Sequence, residues 1–194
     1  NTANDFSDGL ITLNSVIDSF DNLIAIDNID SNQVTMSNAA VQVTDEVDLF
    51  KINELRSNTT GDITVNEIKD SKENIDEINN FEIERGSQQQ PINGDVILSN
   101  SDITVTDVVN KEEADIINGY NDESGTVTLT SVSDLLANVN TLSTTAGISI
   151  TTSNLKVIDS ANLADAQDLD SYTTGEVTLD IVSDNFANVK SIHD

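Results

Sequence analysis

The side chains able to do chemistry in this 194-residue chain are overwhelmingly carboxylates. Asp and Glu number 35 against 8 Lys and Arg, for a formal charge of −27, with no cysteine and a single histidine, His193. Without cysteine there is no disulfide, thiolate nucleophile or Cys-ligated metal. Two carboxylates about 5 to 10 Å apart in a cleft, one with a raised pKa, would be the arrangement for glycoside hydrolysis. Asp45 with Asp48 and Glu112 with Glu113 supply such pairs, but among so many acids pairs arise by chance, and a smooth repeat surface offers no cleft. No catalytic residue and no enzymatic activity are expected. His193, next to the last residue, is read as neither a catalytic group nor a ligand.

Hard cations take oxygen ligands, and a field of this sign attracts them. Calcium is therefore the one cofactor considered. Its candidate ligands lie in three acidic clusters: Asp27 and Asp30; Asp45 and Asp48; Asp165, Asp168 and Asp170. No Asp-x-Asp-x-Asp-Gly loop and no Gly-Gly-x-Gly-x-Asp repeat accompanies them, so a solvated acidic face suited to high salt is the plainer reading. The charge also excludes a phosphate-neutralising surface for nucleic acid and disfavours anionic membranes. No apolar run approaches 18 residues, so no membrane insertion is expected.

These residues are organised by a repeat. The strings GLITL at Gly9, GDITV at Gly61, GTVTL at Gly125 and GEVTL at Gly175 open four ungapped copies of one pattern. Counting from each Gly, apolar residues fall at +2, +7, +14 and +17, Thr at +3, Asp at +9 and Asn at +13. The aspartates are Asp18, Asp70, Asp134 and Asp184; the asparagines are Asn22, Asn74, Asn138 and Asn188. A second kind of unit sits between these copies. It opens with Val34-Thr35-Met36, Val96-Ile97-Leu98 or Ile148-Ser149-Ile150, and continues after four residues with Val41-Gln42-Val43, Ile103-Thr104-Val105 or Leu155-Lys156-Val157. Asp45, Asp107 and Asp159 follow two residues later. The first-kind glycines are 52, 64 and 50 residues apart, a period near 52 with one enlarged copy.

Alternation such as Ile11-Thr12-Leu13 predicts strands with one apolar face. The Thr column (Thr12, Thr35, Thr64, Thr128, Thr178) fits β-propensity with a polar second face better than an ice-binding array. The repeated aspartates precede helical apolar spacing and are expected to cap helix N-termini: Asp18, Asp70, Asp134 and Asp184 in the first kind, Asp45, Asp107 and Asp159 in the second. Each Gly before a strand is expected to end a helix in the left-handed conformation. Four-residue gaps such as 37–40 and 99–102 read as hairpin loops. Asn is a poor helix former, so its recurrence at +13 predicts a ladder of side chains bonding the backbone of the adjacent unit. The fold class expected is an α/β repeat, solenoid-like, of stacked strand–helix–hairpin–helix units, because no single unit can bury its own apolar face. Residues 1–81 and 94–194 form two repeat blocks. Residues 82–93, with three consecutive glutamines and the only proline, form a loop insertion or module boundary. Both ends fall inside the repeat, which implies a longer parent chain.

The motifs Leu49-x-x-Ile52-x-x-Leu55-x-x-x-Thr59-Thr60-Gly61-x-Ile63-Thr64-Val65 and Leu169 through Thr173-Thr174-Gly175-x-Val177-Thr178-Leu179 resemble a repeat class of large Asp- and Thr-rich cell-surface proteins of marine cyanobacteria and structural proteins of their phages. The chain departs from that class in being richer in Asn and Ile and poorer in Ala. Asn58-Thr59-Thr60 matches a glycosylation acceptor, but Thr-Thr-Gly recurs as part of the repeat and is read structurally. The resemblance implies a non-catalytic array, extracellular, on a cell surface or on a virion, with no catalytic residue to carry over. The expected function is a structural subunit of a fibre, filament, sheath or decoration. Its partners would be copies of itself or adjacent repeats of a longer chain. The alternatives are an adhesin whose segment 82–93 meets a host glycan or receptor, and a calcium-stabilised surface-layer protein.

Overall fold

The computed structural model describes residues 9–29, 33–80, 95–122, 124–185 and 187–189. It is an α/β protein in which strands and helices alternate and every described strand pairing is parallel. Two compact units are distinguished by their internal contacts: residues 1–69 with 73–101, and residues 70–72 with 102–194. Residues 82–93, the expected insertion, lie outside the described residues.

The first unit holds β1 (Ile11–Thr12), β2 (Ser15–Asp18), α1 (Phe20–Asp27), β3 (Val34–Thr35), β4 (Ala40–Val47), α2 (Leu49–Asn58), β5 (Ile63–Asp70), most of α3 (Lys72–Asn80) and β6 (Val96–Ile97). β1 pairs with β3, β2 with β4, and β4 with β5; β6 lies against the start of β5. The second unit holds β7 (Asp102–Val109), α4 (Lys111–Tyr120), β8 (Val127–Asp134), α5 (Leu136–Leu142), β9 (Ile148–Ser149), β10 (Asn154–Ala161), α6 (Leu163–Tyr172) and β11 (Val177–Val182). Here β8 lies between β7 on one side and β9 with β10 on the other, and β11 pairs with β10.

The expected alternation is what builds the core. Val41, Val43, Ile63, Val65, Ile103, Val105, Val127, Leu129, Leu155 and Val157 are buried, with their strand neighbours half-buried or exposed. The helices add Leu23, Ile75, Ile78, Val139 and Leu142 from +14 and +17 of the first kind of unit. From the second kind come Ile52, Leu55, Ala114, Ile117 and Leu169. At about 25 cal/mol per Å² of apolar surface removed from water, this aliphatic layer is the main source of stability.

The expected hairpins are not formed. β3 and β4 do not pair with each other; both run parallel to the same preceding strand, β3 beside β1 and β4 beside β2. The five residues from Ile11 to Ser15 face seven from Val34 to Ala40, and the five from Val127 to Ser131 face seven from Ile148 to Asn154. The gap is thus an in-line strand interruption that absorbs two extra residues. A tight turn closes it, with Ala39 N–H donating to the Met36 carbonyl at 2.8 Å, Ser101 N–H to Leu98 at 2.9 Å and Ser153 N–H to Ile150 at 3.1 Å. The last residue of each turn is fully buried and small, and Ser101 Oγ donates to the Val65 carbonyl. Four polar residues between two short apolar runs look the same in sequence whether the chain reverses or continues; only the neighbouring strand decides.

The left-handed glycines are also corrected. Among the described residues the only glycine with positive φ is Gly147, at +79°, and Gly61 and Gly175 are required for a different reason. A Cβ on Gly61 would lie 2.1 Å from the Ala39 carbonyl oxygen, and one on Gly175 would lie 2.2 Å from that of Ser153. The chain passes so close to the preceding interruption that no side chain fits.

Candidate functional site

The aspartates do cap helices, but mostly not their own. Asp45, Asp107 and Asp159 fall where the second-kind strand carries one extra residue against the next strand, between Val43 and Glu46, Val105 and Val108, and Val157 and Ser160. Each carboxylate reaches back to the first N–H of the preceding helix. Asp45 accepts from Phe20 at 2.7 Å, Asp107 from Lys72 at 2.8 Å and Asp159 from Leu136 at 2.7 Å. The first-kind aspartates do the same with their second oxygen: Asp134 Oδ2 accepts from Lys111 N–H at 2.8 Å and Asp184 Oδ2 from Leu163 N–H at 3.0 Å. The N-caps of the second-kind helices are three residues further on. Asp48 accepts from Lys51, and Asn110 and Asn162 form reciprocal capping boxes with Glu113 and Asp165. A helix N-terminus carries unpaired N–H donors and a partial positive charge, so each of these carboxylates ties one helix to the strand that follows it.

The first-kind aspartates use their other oxygen locally. Asp18, Asp134 and Asp184 each accept the N–H of the next residue through Oδ1. The same oxygen takes the side-chain amide of Asn22, Asn138 or Asn188, at 2.7, 2.8 and 2.9 Å. The expected Asn ladder to the neighbouring backbone is therefore corrected for these three. The amide orients the aspartate of its own unit four residues earlier, one helical turn away. Asp70 Oδ1 likewise accepts from Ser71 N–H at 2.8 Å; Asn74 lies within α3.

These bonds shift ionisation. Burial opposes the charge on Asp134, but the Lys111 N–H, the Asn138 amide, the Leu135 N–H and the Lys111 charge outweigh it and hold the carboxyl below its ordinary value. Asp184 is lowered by the N–H groups of Leu163 and Asn185 and by Asn188, and Asp18 by Asn22 and the Ser19 N–H. A general acid needs the opposite shift.

Thr-Thr-Gly is a clamp on the preceding interruption. Thr59 Oγ1 donates to the Ala39 carbonyl at 2.6 Å and accepts from Gly61 N–H at 3.0 Å; Thr173 repeats this with Ser153 at 2.6 Å and Gly175 at 2.9 Å. The second threonine's N–H bonds Ser37 or Thr151 at 2.8 and 2.9 Å. The spacing to the turn it grips, about 20 residues, could have been found only by comparing copies for co-occurrence.

Of the calcium candidates, Asp45 and Asp48 serve as caps, and Asp165 Oδ2 accepts from Asn162 N–H at 2.9 Å. Asp168 and Asp170 are exposed on α6. Asp30 and the Asp27 side chain lie outside the described residues. Among the described residues, no three Asp, Glu, His or Cys side chains converge on one point, and no helix is long and apolar enough to cross a membrane. His193 lies outside the described residues.

One sheet surface stays open. In the second unit Thr106, Thr126, Lys156 and Ile158 are exposed beside buried neighbours, Thr178 and Asp180 are exposed beside half-buried ones, and Lys156 pairs with Asp180 at 3.3 Å. Parallel sheets are normally covered on both faces; here hydroxyls and ion pairs take the place of a second layer. Two shallow depressions are present in this unit. One, of about 490 Å³, is lined by Lys111, Glu112, Asp115, Ile116 and Asn138. The other, of about 440 Å³, lies between α6 and β11. In the first, Lys111 is held by Asp115.

No protein-family model, curated protein or solved structure matches the chain.

Proposed function

We propose that this chain is a non-enzymatic structural protein, a solenoid-like length of units of about 52 residues belonging to an extracellular, cell-surface or virion-surface assembly such as a fibre, filament, sheath or decoration. The observation that carries this reading is the aspartate capping between successive units. At five helix N-termini the first N–H is bonded by a carboxylate 21 to 35 residues ahead. These five carboxylates are thus engaged in holding neighbouring units together, and two of them, Asp134 and Asp184, titrate below the ordinary carboxylate value, away from what a general acid needs. The high negative charge suits a solvated surface, and the resemblance of the Thr-Thr-Gly motifs to surface repeats adds to this. Partners are further repeats or further copies of the same kind.

Electron microscopy of native material, with this chain located by antibody labelling, tests the proposal. Regular filaments, sheaths or surface arrays carrying the label are expected. Label confined to dispersed particles with no ordered assembly would overturn it.

A further inference from the structure

We infer that Asn118 is a covalent modification site guarded by the last turn of α4. When that turn opens, the asparagine loses its side-chain amide to the glycine that follows it, and the product no longer fits the place it came from. The step is independent of the array reading above.

Asn118-Gly119 is one of two Asn-Gly steps in the sequence, the other being Asn93-Gly94. Glycine has no Cβ to obstruct its backbone nitrogen as that nitrogen approaches the preceding side chain. The Gly119 nitrogen attacks Cγ of Asn118. The N–Cγ bond forms, the Cγ–Nδ2 bond breaks, and Nδ2 leaves as ammonia with the proton of the Gly119 N–H. Water then opens the five-membered imide. Cleavage at Cγ gives aspartate, and cleavage at the backbone carbonyl gives isoaspartate. Water is the one co-reactant. In α4 the step is held back, because helical geometry commits the Gly119 N–H to the carbonyl four residues before it. Asn118 is also buried, 6% exposed, with Nδ2 donating to the Ala146 carbonyl at 3.2 Å. The guard is nonetheless a weak one. Gly119 is the last residue but one of the helix, exposed, with no atom within 4 Å of where a Cβ would sit. Glycine is a poor helix former, and a helix end opens far more readily than the whole fold.

Opening frees the nitrogen; what the structure forbids is closing again after the reaction. Among the described residues Asn118 Oδ1 has no hydrogen-bond donor. Gly147, at φ +79°, packs so near that a Cβ on it would lie 2.6 Å from that oxygen. The group that Asn118 does bond, the Ala146 carbonyl, is an acceptor. A carboxylate in place of the amide gives up the donor and turns a charged oxygen toward that carbonyl in a buried position, which is costly. The new charge also stands in the last turn of a helix, where the backbone is partially negative, three residues after Asp115. Isoaspartate adds a methylene to the main chain and breaks the helical repeat itself. The conversion is therefore a one-way switch: a chain that has opened and reacted stays open at this corner.

Incubating the whole chain in mildly alkaline buffer, folded and urea-unfolded, with peptide mass spectrometry to separate Asn118 from Asn93, provides the test. Conversion at Asn118 should be about ten-fold or more slower in the folded chain, and should quicken in urea too dilute to unfold it. Gly119→Ala should suppress conversion at Asn118 and leave that at Asn93 unchanged. The converted fraction of aged protein, separated by ion exchange, should melt about 5 °C below the unreacted fraction, and Asn118→Asp should reproduce that loss. Conversion at Asn118 as fast in the folded chain as in the unfolded one would show that α4 does not guard the step. A converted fraction that melts with the unreacted one would show that the product still fits. An unfolded chain that reacts at Asn93 and not at Asn118 would remove the site. Any of the three overturns the proposal.

Discussion

β8 and β11 carry the same residues at the same offsets from their glycines, Val-Thr-Leu followed by an aspartate at +9. Even so, Val127 and Leu129 are inaccessible to solvent while Val177 and Leu179 are not. The local pattern is equal; the neighbours differ. β8 has strands on both sides, and Val139 and Leu142 of the helix that follows it are fully buried. β11 has β10 alone. Burial in this chain is conferred by the next unit rather than by the unit's own motif, which is why the aspartates that bridge units recur so regularly.

Truncating the two equivalent leucines breaks the comparison most directly. Leu129→Ala should cost about 3 kcal/mol, the range for a fully buried Leu, and Leu179→Ala about 1 kcal/mol. Urea unfolding of both variants measures the gap, and equal losses would show that the edge position is as well covered as the interior one. The clamp before β11 comes next. Gly175→Ala drives a Cβ into the Ser153 carbonyl and should cost about 2 kcal/mol. Gly119→Ala, in α4 with nothing within 4 Å of the new atom, should instead stabilise by about 0.5 kcal/mol through better helix propensity.

Between those sizes of effect lies the capping of α4 from β8. Asp134→Ala removes the acceptor for Lys111, Leu135 and Asn138 and should cost about 1.5 kcal/mol. Because the folded carboxyl titrates lower than the unfolded one, its contribution is complete above the unfolded value of about 3.9. That contribution is lost as pH falls through this value toward the folded pKa. Acid unfolding followed by circular dichroism should therefore shift less steeply below about pH 4 in Asp134→Asn than in wild type. The smallest effect concerns calcium. With Asp45, Asp48 and Asp165 engaged by backbone N–H groups, chelation should move the melting temperature by less than about 1 °C. A larger drop would reinstate a structural ion.

Much of this was legible in the residues. The two kinds of unit, their strands and the inward faces of their helices follow from periodicity, because alternation and 3.6-residue spacing are properties of a short stretch of chain. The asparagines at +13 were visible as a recurrence, yet their role was not. Asn22 and Asn138 turn toward the aspartate one helical turn back because that carboxylate is fixed by a backbone N–H and available. Thr59 and Thr173 looked like ordinary helix-terminal threonines until the interruption they grip came within 2.6 Å.

What the amino-acid order determined by itself was therefore the brick: which residues face inward, and that a helix follows each repeated aspartate. The tertiary structure alone decided that the four-residue gaps carry a strand onward instead of reversing it, that Gly61 and Gly175 yield to a carbonyl rather than a left-handed turn, and that an aspartate serves the helix behind it. The physical reason is distance along the chain. Periodicity and propensity act over a few residues, whereas each of these choices closes a span of some twenty or more, and its outcome is set by which donor the packed neighbour leaves exposed.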